Sequence, residues 1–249
     1  IAQAVVNNLD CAYVEKMEIA GPGFINFYLK QDWMYDMLAG IIAEGENYGN
    51  LVSDCKEKIQ VEYVSANPTG PLHVGHGRGA AVGSALANLM KAAGMNVSRE
   101  YYINDAGNQI NNLAASVNAR YLEQLGQTVE FPENGYHGHD IIETAERIVR
   151  IYGDRFLNMS EEERLKEFRT IALKEKLAAL KEDLEAFNVT YDEWFSEQTL
   201  HDANAIKNAC DLLTERGYLY EEGGALWLKA TEYGDDKDRV VIRDNGVPT

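Results

Sequence analysis

Cysteine is scarce in this sequence: three among 249 residues, scattered at Cys11, Cys55 and Cys210. No CxxC or Cys/His cluster accompanies them, which excludes a disulfide-stapled scaffold and a thiolate metal site. Free thiols in a reducing cytoplasm are the expectation. Basic charge is also in short supply, with 23 Lys+Arg against 40 Asp+Glu and a formal net charge of −17. Non-specific phosphate binding needs a basic face, so bulk electrostatics argue against it while leaving room for a local basic groove. No apolar run approaches the ~20 residues of a membrane span. The opening IAQAVVNNLDCAYVEK lacks the basic start and apolar stretch of a secretory signal. Internal repeats and low-complexity tracts are absent as well.

What remains is 45% hydrophobic and 25% charged. That is enough for one large domain or two small ones around a substantial core, and it excludes disorder. The chain opens on Ile1 rather than Met and stops shortly after a strand-like run. Both ends are therefore expected to lie inside a longer polypeptide.

A turn at Gly21-Pro22-Gly23 precedes FINFYLK, whose alternation predicts a strand. Apolar residues at Trp33, Met34, Met37, Leu38, Ile41 and Ile42 predict a helix over Trp33–Glu44. The polar stretch Asn47–Lys58 reads as a linker. KIQVEYVSA then predicts a buried strand, NPTGP a turn, the stretch from His73 a helix capped at Gly94, and NVSREYYI a second strand. Strand, helix, strand at this length is one βαβ unit with parallel pairing. Helices are expected over Asn108–Leu125, Ile141–Ile151, Ser160–Phe187 and Thr199–Gly217, with Ser160 and Glu163 as a capping box. YDEWF reads as a short strand, LYEEGGALWLKA and VVIRDNG as strands of a small sheet. The fold class is α/β with an insertion-rich second half.

Chemistry concentrates in Glu62–Arg78, EYVSANPTGPLHVGHGR. It leaves a strand, turns through two prolines and a glycine, and enters a helix with His73 and His76 at its start. A helix N-terminus offers unpaired N–H groups and a partial positive charge to an anion. Gly70, Gly75, Gly77 and Gly79 keep side chains away, so a base or phosphate could approach the backbone. Two imidazoles there can donate to phosphate oxygens and favour charge building on an α-phosphate as pyrophosphate leaves. Plainer readings stand beside this one. The histidines could be satisfied structural residues, or share a zinc ion as an i, i+3 pair, although no third ligand is near. The glycines could serve close packing of helix on sheet.

The stretch ANPTGPLHVGH resembles the HIGH signature of class I aminoacyl-tRNA synthetases in its arginyl-tRNA synthetase form. GPGFINFYL, YYINDAGNQI, YDEWFSE and GALWLKATEYGDDKDRVVIRDNGVPT resemble further segments of that family in the same order. The resemblance implies a Rossmann-like nucleotide-binding domain, first half, with a parallel sheet and helical insertions. It divides the chain into a remnant of an N-terminal accessory domain at 1–32, catalytic domain at 33–195 with an insertion about 126–160, and the start of a connective-peptide insertion at 196–249. The implied activity is a cytoplasmic ligase of protein biosynthesis. It uses ATP with Mg²⁺ to activate L-arginine, then esterifies the 3′ end of tRNA(Arg), and it needs neither membrane nor DNA.

By the same resemblance, His73 and His76 are catalytic and contact ATP phosphates, and Gly75 lets adenine lie against the backbone. Ser65 and Asn67 hold the amino-acid end of arginine, with His76 close by, and Glu62 meets the guanidinium, a planar cation with several donors. Glu62 could instead face solvent, and Asn67 could be only a turn former. Asn104, Asp105, Asn108 and Gln109 form a polar cluster explained equally well by turn chemistry. His137 and His139, in GYHGHD, read as a solvated loop, and SEEERLKEFRTIALKEKLAALKEDLEAF as an exposed, charge-mixed face. The family's KMSKS-type lysine loop, the rest of its arginine pocket and its anticodon-binding domain are expected beyond Thr249, so residues 1–249 alone are expected to be inactive. Rival readings are another class I synthetase of glutamyl or cysteinyl type, an HxGH nucleotidyltransferase, or a non-catalytic paralogue that binds tRNA or protein. Glu62 is ill-suited to an acidic substrate, and intact His73 and His76 argue against decay.

Overall fold

A computed structural model describes residues 1–53 and 57–249. They form two compact units, one from the described residues of 1–56 with Met90–Met95, the other from Glu57–Leu89 with Asn96–Thr249. The predicted linker over 47–58 falls partly, and Cys55 wholly, outside the described residues.

The first unit contains α1 (Ala2–Asn8), β1 (Val14–Ala20), β2 (Phe24–Leu29) and α2 (Asp32–Glu44). Strands β1 and β2 pair antiparallel with Ile19 opposite Ile25, and Gly21 takes φ +60° in the turn between them. The expected strand FINFYL is β2. Its partner β1 went unread, because charges at Glu15, Lys16 and Glu18 interrupt its apolar alternation.

Strand β3 (Lys58–Glu62), α3 (Val74–Ala92) and β4 (Asn96–Ile103) make the predicted βαβ, with Ile59 opposite Val97 in a parallel pair; it belongs to the second unit except for Met90–Met95, which counts with the first. The helix ends as forecast at Gly94, φ +81°: Gly94 N–H donates to Lys91 O at 3.0 Å and Met95 N–H to Met90 O at 3.1 Å, a Schellman ending. A β-carbon on Gly94 would lie 2.6 Å from Leu51 O, so glycine is demanded twice.

Next come α4 (Asn108–Gln124), α5 (His139–Tyr152), α6 (Glu161–Ala186) and β5 (Glu193–Ser196). Strand β5 joins β4 in parallel, giving a three-stranded sheet β3-β4-β5. The last elements are α7 (Gln198–Asp202), α8 (Ala205–Glu215) and the antiparallel sheet of β6 (Leu219–Glu222), β7 (Ala225–Leu228) and β8 (Arg239–Ile242). The single helix expected over Thr199–Gly217 is broken into α7 and α8, because Asn204 adopts a left-handed φ of +52° that no α-helix continues.

Two cores hold this unit. One lies among α4, α5 and α6, around Leu113, Tyr121, Ile148 and Phe168; the other covers one face of the sheet, with Tyr63, Ala80, Tyr101 and Leu184. Burying each Leu, Ile or Phe side chain among these contributes about 1.5–3 kcal/mol. Helix α6 corrects the expectation of an exposed face. Phe168, Ala172, Lys176, Leu180 and Leu184 recur every fourth residue and are all buried. Lys176 hid this stripe in the sequence. Its ammonium donates to Asp140 Oδ2 at 2.6 Å and to Asp140 O at 3.1 Å, so the charge is buried only because it is paired. The capping box of Ser160 and Glu163 forms as predicted.

Candidate active site

The site is built on the exit from β3. The expected strand KIQVEYVSA stops at Glu62, since Val64 and Ser65 take φ of +69° and +40°. Ser65 N–H donates to Tyr63 O at 3.1 Å, closing a γ-turn on Val64. A β-branched residue in this region is strained by about 1–3 kcal/mol and persists only where its surroundings over-determine it. Here they do. Tyr191 Oη donates to Tyr63 O at 3.1 Å, Tyr101 Oη to Ala66 O at 2.8 Å, and Tyr102 N–H to Ser65 Oγ at 3.1 Å.

The turn gathers two groups of the predicted residues. In the first, Ser65 Oγ donates to Glu62 Oε1 at 2.8 Å while accepting from Tyr102 N–H. The hydroxyl is thus engaged with the protein, tying the Glu62 carboxylate to β4. Glu62 lies opposite Glu100, and Glu100 opposite Glu193, so three carboxylates cross the sheet in one row. Glu100 is pushed up from the ordinary carboxylate range by partial burial first, then by Glu193 and Glu62. Such a row suits a spread cation. Asn67 follows on the turn, exposed, with Thr69 N–H donating to its carbonyl at 2.8 Å.

The second group is His73, Gly75 and His76. His73 precedes the first residue of α3, and its carbonyl accepts from Gly77 N–H at 3.1 Å, as an N-cap does. The two imidazoles stack, with centroids 3.7 Å apart and planes 19° apart. Gly75 N–H donates to His73 Nδ1 at 3.1 Å and His73 N–H to His76 Nδ1 at 3.3 Å. With both Nδ1 atoms accepting, a neutral ring carries its proton on Nε2, which assigns two Nε2–H donors to this helix start. His76 is held below the ordinary imidazole value, chiefly by burial and then by the neighbouring His73. No hydrogen bond or ion pair joins this group to Glu62 and Ser65 among the described residues.

The glycines divide by function. A β-carbon on Gly75 would lie 2.9 Å from His73 Cε1, so its bare backbone makes room for that ring. Gly77 and Gly79 face open space, while a β-carbon on Gly83 would lie 2.3 Å from Tyr63 Cγ. Gly83 sets how closely α3 lies on β3, a role the sequence reading gave to no particular residue.

Tyr102 was missed too. It lines a cavity of about 630 Å³ at the carboxyl ends of β4 and β5, together with Asn104, Gln109 and Glu197. Its hydroxyl is pushed up to about 12 by burial, then by Glu197, Asp105 and Glu62. Asp105 acts as a clamp: Ser196 Oγ donates to Oδ2 at 2.6 Å and Gln198 N–H to Oδ1 at 2.9 Å, which binds β4's exit to β5's. None of the six predicted residues lines that cavity. His137 and His139 do not converge. The His137 ring lies 4.5 Å from that of Phe131, and His139 Nδ1 meets Glu143 Oε1 at 3.0 Å on α5, both histidines exposed.

This strand–turn–helix lies within residues 37–249, which match the family described as tRNA synthetases class I (R), catalytic domain. The chain belongs to that family. Residues 1–29 match the arginyl tRNA synthetase N terminal domain. The chain is 58% identical to an arginine–tRNA ligase of Carboxydothermus hydrogenoformans over 96% of its own length and 43% of that protein's. Among solved structures, a Campylobacter jejuni protein described as an arginyl-tRNA synthetase is 34% identical with a TM-score of 0.77, over 89% of this chain and 48% of that one. The Thermus thermophilus arginyl-tRNA synthetase is 25% identical with a TM-score of 0.56, over 100% and 42%. The chain thus spans less than half the length of each of these relatives. The family's α/β catalytic fold agrees with the parallel sheet described above. No helix among the described residues is long and apolar enough to cross a membrane.

Proposed function

We propose that the full-length protein containing this chain is a cytoplasmic arginine–tRNA ligase. A carboxylate oxygen of L-arginine attacks the α-phosphorus of ATP, pyrophosphate leaves, and arginyl-adenylate forms. A terminal ribose hydroxyl of tRNA(Arg) then attacks the adenylate's carbonyl carbon and AMP leaves. The observation that carries this reading is the stacked His73–His76 pair at the α3 N-terminus, its Nε2–H donors free for an anion. In it, His73 and His76 donate to ATP phosphate oxygens and stabilise charge in the transition state. Gly75 lets the backbone come close to the nucleotide. Glu62, within its row of carboxylates, meets the guanidinium, Ser65 fixes Glu62, and Asn67 binds the amino-acid end of the substrate. Residues 1–249 by themselves carry only part of the site and do not aminoacylate.

No group of three or more His, Cys, Asp or Glu residues among the described ones forms a metal cage. Mg²⁺ in this reading arrives on the ATP phosphates, completed by water, as that ion commonly does. It supplies charge neutralisation there, while the chain's own residues bind and orient.

The test is aminoacylation of tRNA(Arg) by the full-length protein with each of the twenty amino acids. Arginine alone is expected to be esterified. Glutamate or cysteine in its place would favour the other class I synthetases and remove the role given to Glu62. No esterification by folded protein would favour a non-catalytic paralogue.

A further inference from the structure

We propose that a basic groove along α6 holds the phosphate backbone of the RNA substrate, an inference that rests on the ligase reading above. The groove is a cavity of about 760 Å³ whose rim carries Lys166, Arg169, Lys174 and Lys181 over a floor of Leu173 and Leu177. One acidic residue lines it, Asp105, and that carboxylate already accepts from Ser196 Oγ and Gln198 N–H. On a chain of net charge −17 this is a local reversal of sign.

The helix sorts its charges by face. A separate, mainly acidic cavity of about 370 Å³ is lined by Glu175, Glu182 and Asp183 of α6 with Asp140 and Glu143 of α5, beside the paired cations Arg147 and Lys176. Four of the six cations of α6 line the groove and none of its carboxylates does, whereas three of its carboxylates share the other cavity with Lys176, a separation that the balanced sequence conceals. Lys166 and Lys174 have no carboxylate partner among the described residues, and both are exposed. Lys181 Nζ stands 4.6 Å from the centre of the Trp194 ring. Such unneutralised cations repel one another and favour a polyanion that displaces their counterions.

Length selects the occupant. Lys166 and Lys181 are fifteen residues apart, roughly 22 Å along a helix at 1.5 Å per residue. One nucleotide's phosphates cannot reach all four cations, whereas a nucleic-acid strand can. Arg169 gives the groove direction, donating through Nη2 to Asp105 O at 3.0 Å and Gln198 Oε1 at 3.4 Å. The guanidinium is thereby fixed at the carboxyl ends of β4 and β5, the side on which parallel sheets take their ligands. The RNA strand runs from that end outward along α6.

The experiment measures binding of a tRNA(Arg) transcript to the full-length protein at several salt concentrations. It compares the unmodified protein, the double variant Lys166→Ala/Lys174→Ala, and Lys207→Ala, which removes a lysine paired with Asp211 on α8. The double variant should bind roughly tenfold more weakly, with a log Kd against log salt slope shallower by about 1–2. Its KM for ATP should be unchanged, and Lys207→Ala should match the unmodified protein. A double variant with the affinity and slope of Lys207→Ala overturns the proposal. So does an unchanged slope with an altered melting temperature, which would mean that another part of the polypeptide fills the groove. A protein that binds RNA through these lysines yet charges no arginine would keep the groove and sink the ligase reading.

Discussion

Two pairs of histidines stand close together in the sequence, His73 with His76 and His137 with His139, yet only the first pair converges. His73 and His76 stack at 3.7 Å because a strand exit, a γ-turn and a helix start fix the backbone on both sides. His137 leans on Phe131, while His139 turns to Glu143 on the first turns of α5. Residue type is the same in both places. What differs is the frame, and the frame decides whether two imidazoles stack together or part.

The largest test of that difference is direct. In the full-length protein, His73→Ala and His76→Ala should each slow adenylate formation about 10²–10³-fold, as the loss of one transition-state donor does. His137→Ala and His139→Ala should leave the rate within about twofold, since exposed substitutions away from such features are nearly neutral. Single-turnover kinetics with labelled ATP gives both numbers. Equal losses at both pairs would remove the distinction.

Glu62→Gln probes the other group gathered by the turn. It keeps the shape and removes a charge that the guanidinium would meet, so the KM for arginine should rise about 10–100-fold, the equivalent of one charge-assisted hydrogen bond. The KM for ATP should stay constant. A rise in the ATP value instead would put Glu62 on the nucleotide side.

A smaller effect comes from the frame itself. Gly83→Ala places a methyl where Tyr63 already stands, 2.3 Å from its Cγ, and should lower stability by about 1–3 kcal/mol in chemical denaturation. Gly79→Ala, into open space, should be tolerated or slightly stabilising. If the two behave alike, close packing of α3 on β3 does not hold the site.

The smallest signal is a titration. His76 should protonate below the ordinary imidazole value of about 6.5, through burial and the neighbouring His73. A depressed folded value means that the neutral ring favours the fold above about 6.5, and that this contribution is lost as pH falls through the folded value. His73→Ala should move His76 back toward 6.5, and bound ATP should raise it because phosphate favours the cation. Ring-proton NMR against pH reads all three.

Much of this was legible beforehand because local rules sufficed. The βαβ unit, Gly94 as helix stop, the Ser160–Glu163 box and β5 all follow from patterns a few residues long. Strand β1 was not, since Glu15, Lys16 and Glu18 break its apolar alternation and only its pairing with β2 defines it. The core stripe of α6 was hidden by Lys176, whose partner Asp140 lies on another helix. At the site, the histidines, glycines and Glu62 stood out in the sequence. The γ-turn at Val64 did not, because valine is among the residues least suited to that conformation. Only the bonds from Tyr101, Tyr102 and Tyr191 explain it, and they come from distant segments.

The most direct test of the account is ATP–pyrophosphate exchange by the full-length protein, run with each amino acid in the presence of tRNA(Arg) and repeated for His76→Ala. Exchange should occur with arginine and fall about 10²–10³-fold in the variant. Exchange that persists undiminished without His76 would contradict the claim that the β3–turn–α3 frame holds the phosphates.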